Sequence, residues 1–259
     1  MILDANAWLG EWPFANLEPD QSRELVAHQA ARAINLSCVA RIEGAFYLDP
    51  APANERLYRE LRDHPTMAPV AILNPTMANW PKVLERAVQQ GCRQIRLIPN
   101  YHQYALDDPR CEALLDAARD AGLRVGLQVR MEDERHQHPL MKVAGVPVAQ
   151  IAELAARRPT EQFLALCCYQ NEVIALREQG NLLFELSHVE YLDTLDHLLE
   201  RVPAAQVVFG SHTPFFTTWA GLVKVEQSRA DGATRRAVAG GNLADWLGGA
   251  REVVPWVVS

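Results

Sequence analysis

The sequence predicts an α/β fold of the (β/α)8 TIM-barrel class, formed by one domain over residues 1–259. The chain has 259 residues, and one such barrel needs roughly 250. Short apolar runs alternate with longer segments of helical period, which is typical of βα units with a parallel sheet. Eight such units can be counted. No glycine-rich phosphate loop follows the first predicted strand, so a closed barrel is favoured over an open doubly wound sheet.

The individual elements follow from periodicity and turn residues. Strands are predicted over residues 2–7, 36–41, 68–73, 94–98, 124–130, 163–167, 182–186 and 206–209. Helices are predicted over residues 20–33, 54–63, 80–90, 111–121, 147–157, 171–179, 191–201 and 222–239. Gly91, Gly122 and Gly180 stand where three of these helices end, because glycine tolerates the left-handed conformation found there.

The composition is that of a soluble protein with a sizeable core. Hydrophobic residues make up 49% of the chain, charged residues 22%, and the formal net charge is −7. No block of Lys and Arg appears, which disfavours binding to nucleic acid or to a membrane surface. No apolar run approaches the roughly 20 residues that span a bilayer. The expected partner is a small molecule, and a homo-oligomer is left open.

The cysteines and the N-terminus indicate a compartment. Five cysteines are present without a framework spacing, and the chain starts directly on a strand pattern instead of a signal peptide. Both observations favour a reducing cytoplasm. The adjacent Cys167 and Cys168 are expected to pack in the barrel wall, because neighbouring strand residues point to opposite faces.

Polar side chains are concentrated at the predicted carboxyl ends of the strands, where the active site of a (β/α)8 barrel lies. Any one of these residues could equally be there to form a salt bridge at the barrel mouth. Their concentration at one end of the barrel is therefore more informative than any single residue. The set includes Asn6, Arg41, Asn74, Arg96, Tyr101, Arg130, Glu185, His188 and His212.

Four segments occur in an order that resembles a known superfamily. They are Ile2-Leu3-Asp4-x-Asn6-x-Trp8-x-Gly10, Gln94 to Tyr101, Phe209-Gly210-Ser211-His212-Thr213-Pro214, and Gly241-Asn242-Leu243-Ala244. Over nearly its whole length the chain resembles the amidohydrolase superfamily of metal-dependent hydrolases, in the branch of aminocarboxymuconate-semialdehyde decarboxylase and related lactonases. The resemblance implies a hydrolase or lyase that acts on a small carboxylated substrate, at a lactone or a related C–O, C–N or C–C bond.

The resemblance also implies a divalent metal, held by a His-x-His pair on the first strand, a His after the fifth strand, often another after the sixth, and an Asp after the eighth. The corresponding positions here are Asn6 and Trp8, Arg130, Cys168 or Tyr169, and His212. A catalytic zinc site needs three protein ligands with N, S or O donors. Because a Trp does not ligate and a guanidinium repels a cation, we expect no cofactor.

A rebuilt zinc site is the alternative. His136 and His138 follow the fifth predicted strand, and His212 follows the eighth, so the three could meet over the barrel mouth. The segment that carries His136 and His138 has the composition of a loop, which favours solvated side chains.

Without a metal, the residues suggest acid–base catalysis on an anionic molecule. Arg96 and Arg130 end neighbouring predicted strands, and two guanidiniums can bind a carboxylate through forked hydrogen bonds. We expect His212 to act as general base, Glu185 as partner acid and Asn6 as a group that polarises a carbonyl. A structural ion pair between Arg130 and Glu185 is an equally good explanation of those two residues. Further contacts to the substrate are expected from Trp8, Tyr101 and His188.

A barrel without catalysis is the alternative function. The loss of every family ligand is also expected of an inactive protein that binds a small ligand or serves as a scaffold. In that case Trp8 fills the former metal cavity, and Trp12 belongs to the same apolar plug.

Overall fold

The computed structural model describes residues 1–249, and parallel strands dominate this part of the chain. In order they are β1 (Leu3–Leu9), β2 (Leu36–Arg41), β3 (Met67–Pro69), β4 (Ala71–Leu73), β5 (Gln94–Leu97), β6 (Arg124–Gln128), β7 (Phe163–Leu166), β8 (Leu182–Glu185) and β9 (Val207–Val208). β1, β2 and β3 form one parallel sheet, and β4 to β9 form another in chain order.

Backbone hydrogen bonds close the two sheets into a barrel. β3 and β4 are halves of one barrel strand interrupted at Val70, whose N–H still donates to the Val39 carbonyl oxygen at 2.8 Å. At the other seam, the N–H of Ala5 donates to the carbonyl oxygen of Phe209 at 3.1 Å, and the N–H of His212 to that of Asn6 at 2.7 Å. The predicted (β/α)8 barrel is therefore confirmed.

Helices connect the strands. Those in the described residues are α1 (Ser22–Ala30), α2 (Glu43–Phe46), α3 (Ala51–Leu61), α4 (Trp80–Gln89), α5 (Pro99–His102), α6 (Pro109–Asp120), α7 (Val148–Arg157), α8 (Gln170–Leu176), α9 (Thr194–Leu199), α10 (Thr218–Glu226), α11 (Gly232–Arg236) and α12 (Asn242–Trp246). Within residues 1–249, every helix is too short or too polar to cross a membrane.

The single helix predicted over residues 222–239 is wrong. α10 ends at Glu226, and a new helix, α11, begins after Asp231. The carboxylate of Asp231 accepts hydrogen bonds from the N–H groups of Ala233 and Thr234 at 2.8 and 2.9 Å, which caps the start of α11. A π-helical turn then leads from α11 into α12.

Alternate residues of one strand pack on opposite sides of the barrel wall. On β7, Leu164 and Leu166 belong to the buried cluster that contains Trp8, whereas Phe163 and Ala165 pack with core residues of the surrounding helices. This alternation follows from the two-residue period of a strand. It also sends every second side chain at the strand ends toward the centre of the barrel mouth.

Candidate active site

Three potential metal-binding or proton-binding side chains meet at the carboxyl ends of consecutive strands. Cys167 follows β7, His188 follows β8 and His212 follows β9, and one ligand atom of each lies within 4.8 Å of the others. The backbone φ is 61° at Cys167 and 52° at His212. Residues other than glycine rarely adopt this left-handed region, and such strain is concentrated at functional sites.

Asp4 fixes the turn that carries His212. Its carboxylate accepts hydrogen bonds from the backbone N–H of Ser211 at 2.8 Å and from the Ser211 hydroxyl at 2.6 Å. The side-chain amide of Gln29 adds a third donor at 3.2 Å. Burial raises the pKa of Asp4 to about 6, although these donors favour the ionised form. Ser211 therefore holds this turn in place.

Both nitrogens of His212 have partners. Nε2 lies 2.7 Å from the carbonyl oxygen of Met131, which can only accept, so Nε2 carries the hydrogen. Nδ1 therefore accepts, from the indole N–H of Trp8 at 3.2 Å and from the Asn6 amide at 3.1 Å. Burial lowers the pKa of His212 to about 3, which keeps the ring neutral. The general base predicted at His212 thus lacks a free nitrogen.

His188 has the opposite arrangement. The Ser187 hydroxyl donates its hydrogen to Glu185 Oε2 at 2.8 Å, so the Ser187 oxygen is left to accept from Nδ1–H of His188 at 3.2 Å. We name this chain the Glu185–Ser187–His188 relay. Nε2 of His188 then carries the lone pair; this atom is buried and has no hydrogen-bond partner among the described residues. Burial lowers the pKa of His188 to about 2, so the ring is neutral.

The buried centre of the barrel is organised around Asn6. Its amide nitrogen lies 3.2 Å from Glu185 Oε2, 3.3 Å from Cys167 Sγ and 3.1 Å from His212 Nδ1. Its oxygen accepts from the Arg96 guanidinium at 3.0 Å. The structure therefore brings four of the predicted site residues together with Cys167, and all five side chains are buried.

Arg130 lies outside this centre. Its guanidinium forms two hydrogen bonds to the carboxylate of Glu172, at 2.7 and 2.5 Å, and stacks over the ring of Tyr169 at 3.7 Å. The ion pair considered between Arg130 and Glu185 is therefore wrong, because Glu172 takes that place. The guanidiniums of Arg96 and Arg130 are buried and bonded to acceptors of the protein.

Aromatic rings cover the centre from the mouth side. Trp8 is fully buried and packs edge to face on Phe215, with the Arg96 guanidinium 4.6 Å from its ring. Trp12 contacts Phe215 in turn, at 4.9 Å between ring centroids. This is the apolar plug described by one of the two sequence hypotheses for Trp8. Tyr101 contacts the neighbouring Phe46, at 5.8 Å between ring centroids.

The histidines of the predicted rebuilt metal site do not meet. His136 and His138 lie on the exposed loop after β6, where His138 stacks on Phe14 at 5.3 Å. The potential ligands near His212 are instead Cys167 and His188. The sequence predicts that Cys167 packs in the barrel wall, since the left-handed backbone that places its sulfur beside His212 leaves no signal in the sequence.

A cleft of about 340 Å³ reaches the buried residues from one side of the mouth. Of the residues in the relay, His188 is the one that also forms part of the cleft wall. The wall carries both aromatic and charged side chains. Its other members are Asp133, Arg135, Tyr169, Gln170, Asn171, Ile174, Glu190, Tyr191 and Phe216. A molecule in the cleft would therefore contact the histidine that has a free nitrogen.

Comparison with known proteins finds similarity in structure alone, since no protein-family model and no curated protein matches the sequence. A 5-carboxyvanillate decarboxylase from Sphingomonas paucimobilis is 14% identical with a TM-score of 0.75, over 95% of this chain and 98% of that one. A dihydroxybenzoic acid decarboxylase from a Polaromonas species, solved with manganese and 2-nitroresorcinol, is 12% identical with a TM-score of 0.76, over 95% and 96%. The chain has the amidohydrolase fold.

A third solved structure of this fold is a probable 2-pyrone-4,6-dicarboxylic acid hydrolase from Acinetobacter baumannii with citric acid bound. It is 12% identical with a TM-score of 0.68, over 95% of this chain and 99% of that one. The amidohydrolase fold predicted from four short motifs is confirmed, and at this level of identity the likeness concerns the fold.

Proposed function

We propose that this protein is a hydrolase or lyase of the amidohydrolase type, which acts in a reducing cytoplasm on a small carboxylated compound. The observation that carries the proposal is His188, whose side chain forms part of the cleft wall and whose buried Nε2 has no hydrogen-bond partner among the described residues. A neutral imidazole with an available lone pair, held beside a cleft large enough for a small molecule, is the arrangement expected of a general base.

The relay holds the base in one tautomer and accommodates its charge. When Nε2 takes a proton, the imidazolium keeps its hydrogen bond from Nδ1–H to Ser187, and Ser187 remains bonded to the carboxylate of Glu185. Glu185 is itself fixed, because it accepts hydrogen bonds from the backbone N–H groups of Cys167 and Ser187. The catalytic role that the sequence analysis gave to Glu185 thus becomes a positioning role.

For a lactone, the reaction proceeds by general-base hydrolysis. His188 Nε2 takes a proton from a water molecule as the water oxygen bonds to the carbonyl carbon. The ring C–O bond then breaks, and the leaving oxygen takes the proton back from Nε2. Atoms balance with water as the sole co-reactant, and the product is a hydroxy acid.

The substrate class follows from charge and shape. Burial makes His188 a weak base in the empty cleft, and an anionic group bound beside it would raise its pKa, so a carboxylated molecule strengthens the base that attacks it. Arg135, which is paired with Asp133, has an exposed guanidinium at the cleft, and the rings of Tyr169 and Tyr191 offer flat apolar surfaces. Two structural neighbours carry names of enzymes for carboxylated rings, a dihydroxybenzoic acid and a pyrone dicarboxylic acid.

The experiment is a turnover screen of carboxylated lactones and hydroxybenzoic acids with wild type, His188→Gln and the control His136→Gln. His136 is a histidine on the exposed loop after β6, so its replacement controls for loss of a histidine. We expect His188→Gln to lose about 10²–10⁴-fold in kcat, the usual contribution of a general base. Equal turnover by wild type and His188→Gln would refute the proposal.

An inactive ligand-binding barrel is the second candidate, and the aromatic cover favours it. Trp8 and Trp12 bury the polar centre, so a ligand in the cleft meets His188 but neither Asn6 nor His212. Calorimetric binding of a carboxylated ring to wild type, with no product formed, would establish this function in place of catalysis.

A further inference from the structure

Three acceptor atoms in the barrel centre, of kinds that also bind divalent cations, converge on the amide nitrogen of Asn6. We propose that the hydrogen-bonded pair of Asn6 and Arg96 takes the place of a divalent metal ion at this position. The inference goes beyond the proposed function, because it concerns what holds the centre together and is tested by metal content instead of turnover.

The acceptors form a set that ordinarily surrounds a metal. Glu185 Oε2, Cys167 Sγ and His212 Nδ1 lie 3.2, 3.3 and 3.1 Å from Asn6 Nδ2. Carboxylate, thiolate and imidazole are the usual protein ligands of zinc. An amide –NH2 group presents two hydrogens, which the three acceptors share at distances longer than metal–ligand bonds.

Arg96 determines which end of the Asn6 amide faces the acceptors. A guanidinium has donors and no acceptor, so the Asn6 atom 3.0 Å from Arg96 Nη1 must be the oxygen. The nitrogen consequently faces the acceptors. Arg96 is fixed by a second bond, from Nη2 to the carbonyl oxygen of Ala5 at 3.3 Å, and by the Trp8 ring. Its positive charge polarises the amide and offsets the charge of Glu185.

The residues as arranged do not fit the metal that the amidohydrolase fold implies. Cys167, His188 and His212 offer suitable donor types within 4.8 Å of one another. However, the Nδ1 lone pair of His212 already accepts from Trp8 and Asn6, and the Cys167 sulfur accepts from the amides of Gln128 and Asn6 at 3.0 and 3.3 Å. An entering cation would displace the Asn6 amide and lie close to the Arg96 guanidinium.

An isosteric substitution tests this directly. Asn6→Asp keeps the oxygen that accepts from Arg96 and replaces the –NH2 group by a second oxygen. That oxygen would face three acceptors with no hydrogen between them. A divalent cation bound among these atoms would remove the repulsion. The matched control is Asn35→Asp, which makes the same change at an exposed residue whose Oδ1 accepts from the N–H of Ile2 at 2.7 Å.

The measurement is Co²⁺ content after dialysis, by mass spectrometry, together with the near-ultraviolet absorption of a thiolate–Co²⁺ bond. We expect wild type and Asn35→Asp to hold less than one tenth of an equivalent, and Asn6→Asp to hold about one with the thiolate band. The double variant Asn6→Asp/Cys167→Ser should lose the band.

Two results would overturn the proposal. One is a full equivalent of Co²⁺ with a thiolate band in wild type, because a metal would then bind in the presence of the Asn6 amide. The other is a folded Asn6→Asp variant that binds no more Co²⁺ than wild type. The wild-type result alone can refute the proposal, even where Asn6→Asp does not fold, and neither result bears on the general base at His188.

Discussion

The indole N–H of Trp8 donates a hydrogen bond to Nδ1 of His212 at 3.2 Å. The resemblance places Trp8 at the second metal-binding position of the first strand and His212 at that of the eighth. In this chain the two side chains bind each other instead. The bond uses a lone pair that would otherwise be available for a metal or a proton. Of His188 and His212, His188 is therefore the one with a nitrogen that has no hydrogen-bond partner among the described residues.

Trp8→Phe should destabilise the protein, because it removes the donor to His212 and leaves a cavity beneath Phe215. The lost hydrogen bond costs about 1 kcal/mol and the cavity adds to it, so we expect roughly 2–4 kcal/mol. Urea unfolding measures the change. The control Trp219→Phe alters a side chain that is 54% exposed and should stay within about 0.5 kcal/mol of wild type. Equal stability of the two variants would contradict the role of Trp8.

Glu172→Gln should also destabilise the protein, because it removes the main counter-charge of the buried Arg130 guanidinium and leaves the more exposed Glu134, 3.8 Å from Arg130 Nε, as its remaining carboxylate. Arg130 is 1% exposed and Glu172 is 15% exposed. Removing one partner of such a pair costs roughly 3–5 kcal/mol. The control is Glu178→Gln, whose carboxylate is 80% exposed and pairs with Arg177. If thermal unfolding shows the same small loss in both variants, Arg130 does not depend on Glu172.

Stability should fall in acid through His188. Its pKa is lowered to about 2 in the folded chain from an ordinary value of 6.5. Between those values the unfolded chain binds a proton that the folded chain does not, so stability decreases as pH falls below about 6.5, by up to about 1.4 kcal/mol per pH unit. Unfolding free energies of wild type and His188→Gln, measured from about pH 7 to about pH 4.5, should therefore converge at low pH. Parallel curves would contradict a buried neutral His188.

The periodicity of apolar residues was sufficient to predict the barrel, but not the points where its strands and helices are interrupted. β2 runs over Leu36–Arg41, as predicted, because its apolar run is bounded by turn residues on both sides. The predicted strand over residues 68–73 is interrupted at Val70, directly after Pro69, a residue that lacks the N–H needed for a continuous ladder. The break between α10 and α11 did have a signal in the sequence, the capping residue Asp231, which a helical pattern of apolar residues outweighed.

The site was predictable in part of its membership and not in its roles. Strand parity places Glu185 and Ser187 on one face, and the structure joins them by a hydrogen bond. Which histidine keeps a free nitrogen depends on the partners of each ring. The carbonyl oxygen of Met131 and the indole N–H of Trp8 form hydrogen bonds with the two ring nitrogens of His212. Both contacts join residues that are far apart in sequence. Such contacts have no trace in the local pattern, so the sequence favoured His212 as the base.

Gly210→Ala should disturb the Glu185–Ser187–His188 relay without removing any of its groups. A Cβ atom on Gly210 would overlap the Cγ and carboxylate atoms of Glu185, which is buried and cannot move aside freely. Overpacking of this kind costs roughly 1–3 kcal/mol. We also expect kcat to fall for a carboxylated lactone, because the displaced carboxylate no longer holds Ser187.

The control is Gly180→Ala, where the added Cβ meets no atom within 4 Å among the described residues. The comparison requires stability and kcat for both variants, and a Gly210→Ala protein with wild-type kcat would show that catalysis does not depend on the position of Glu185.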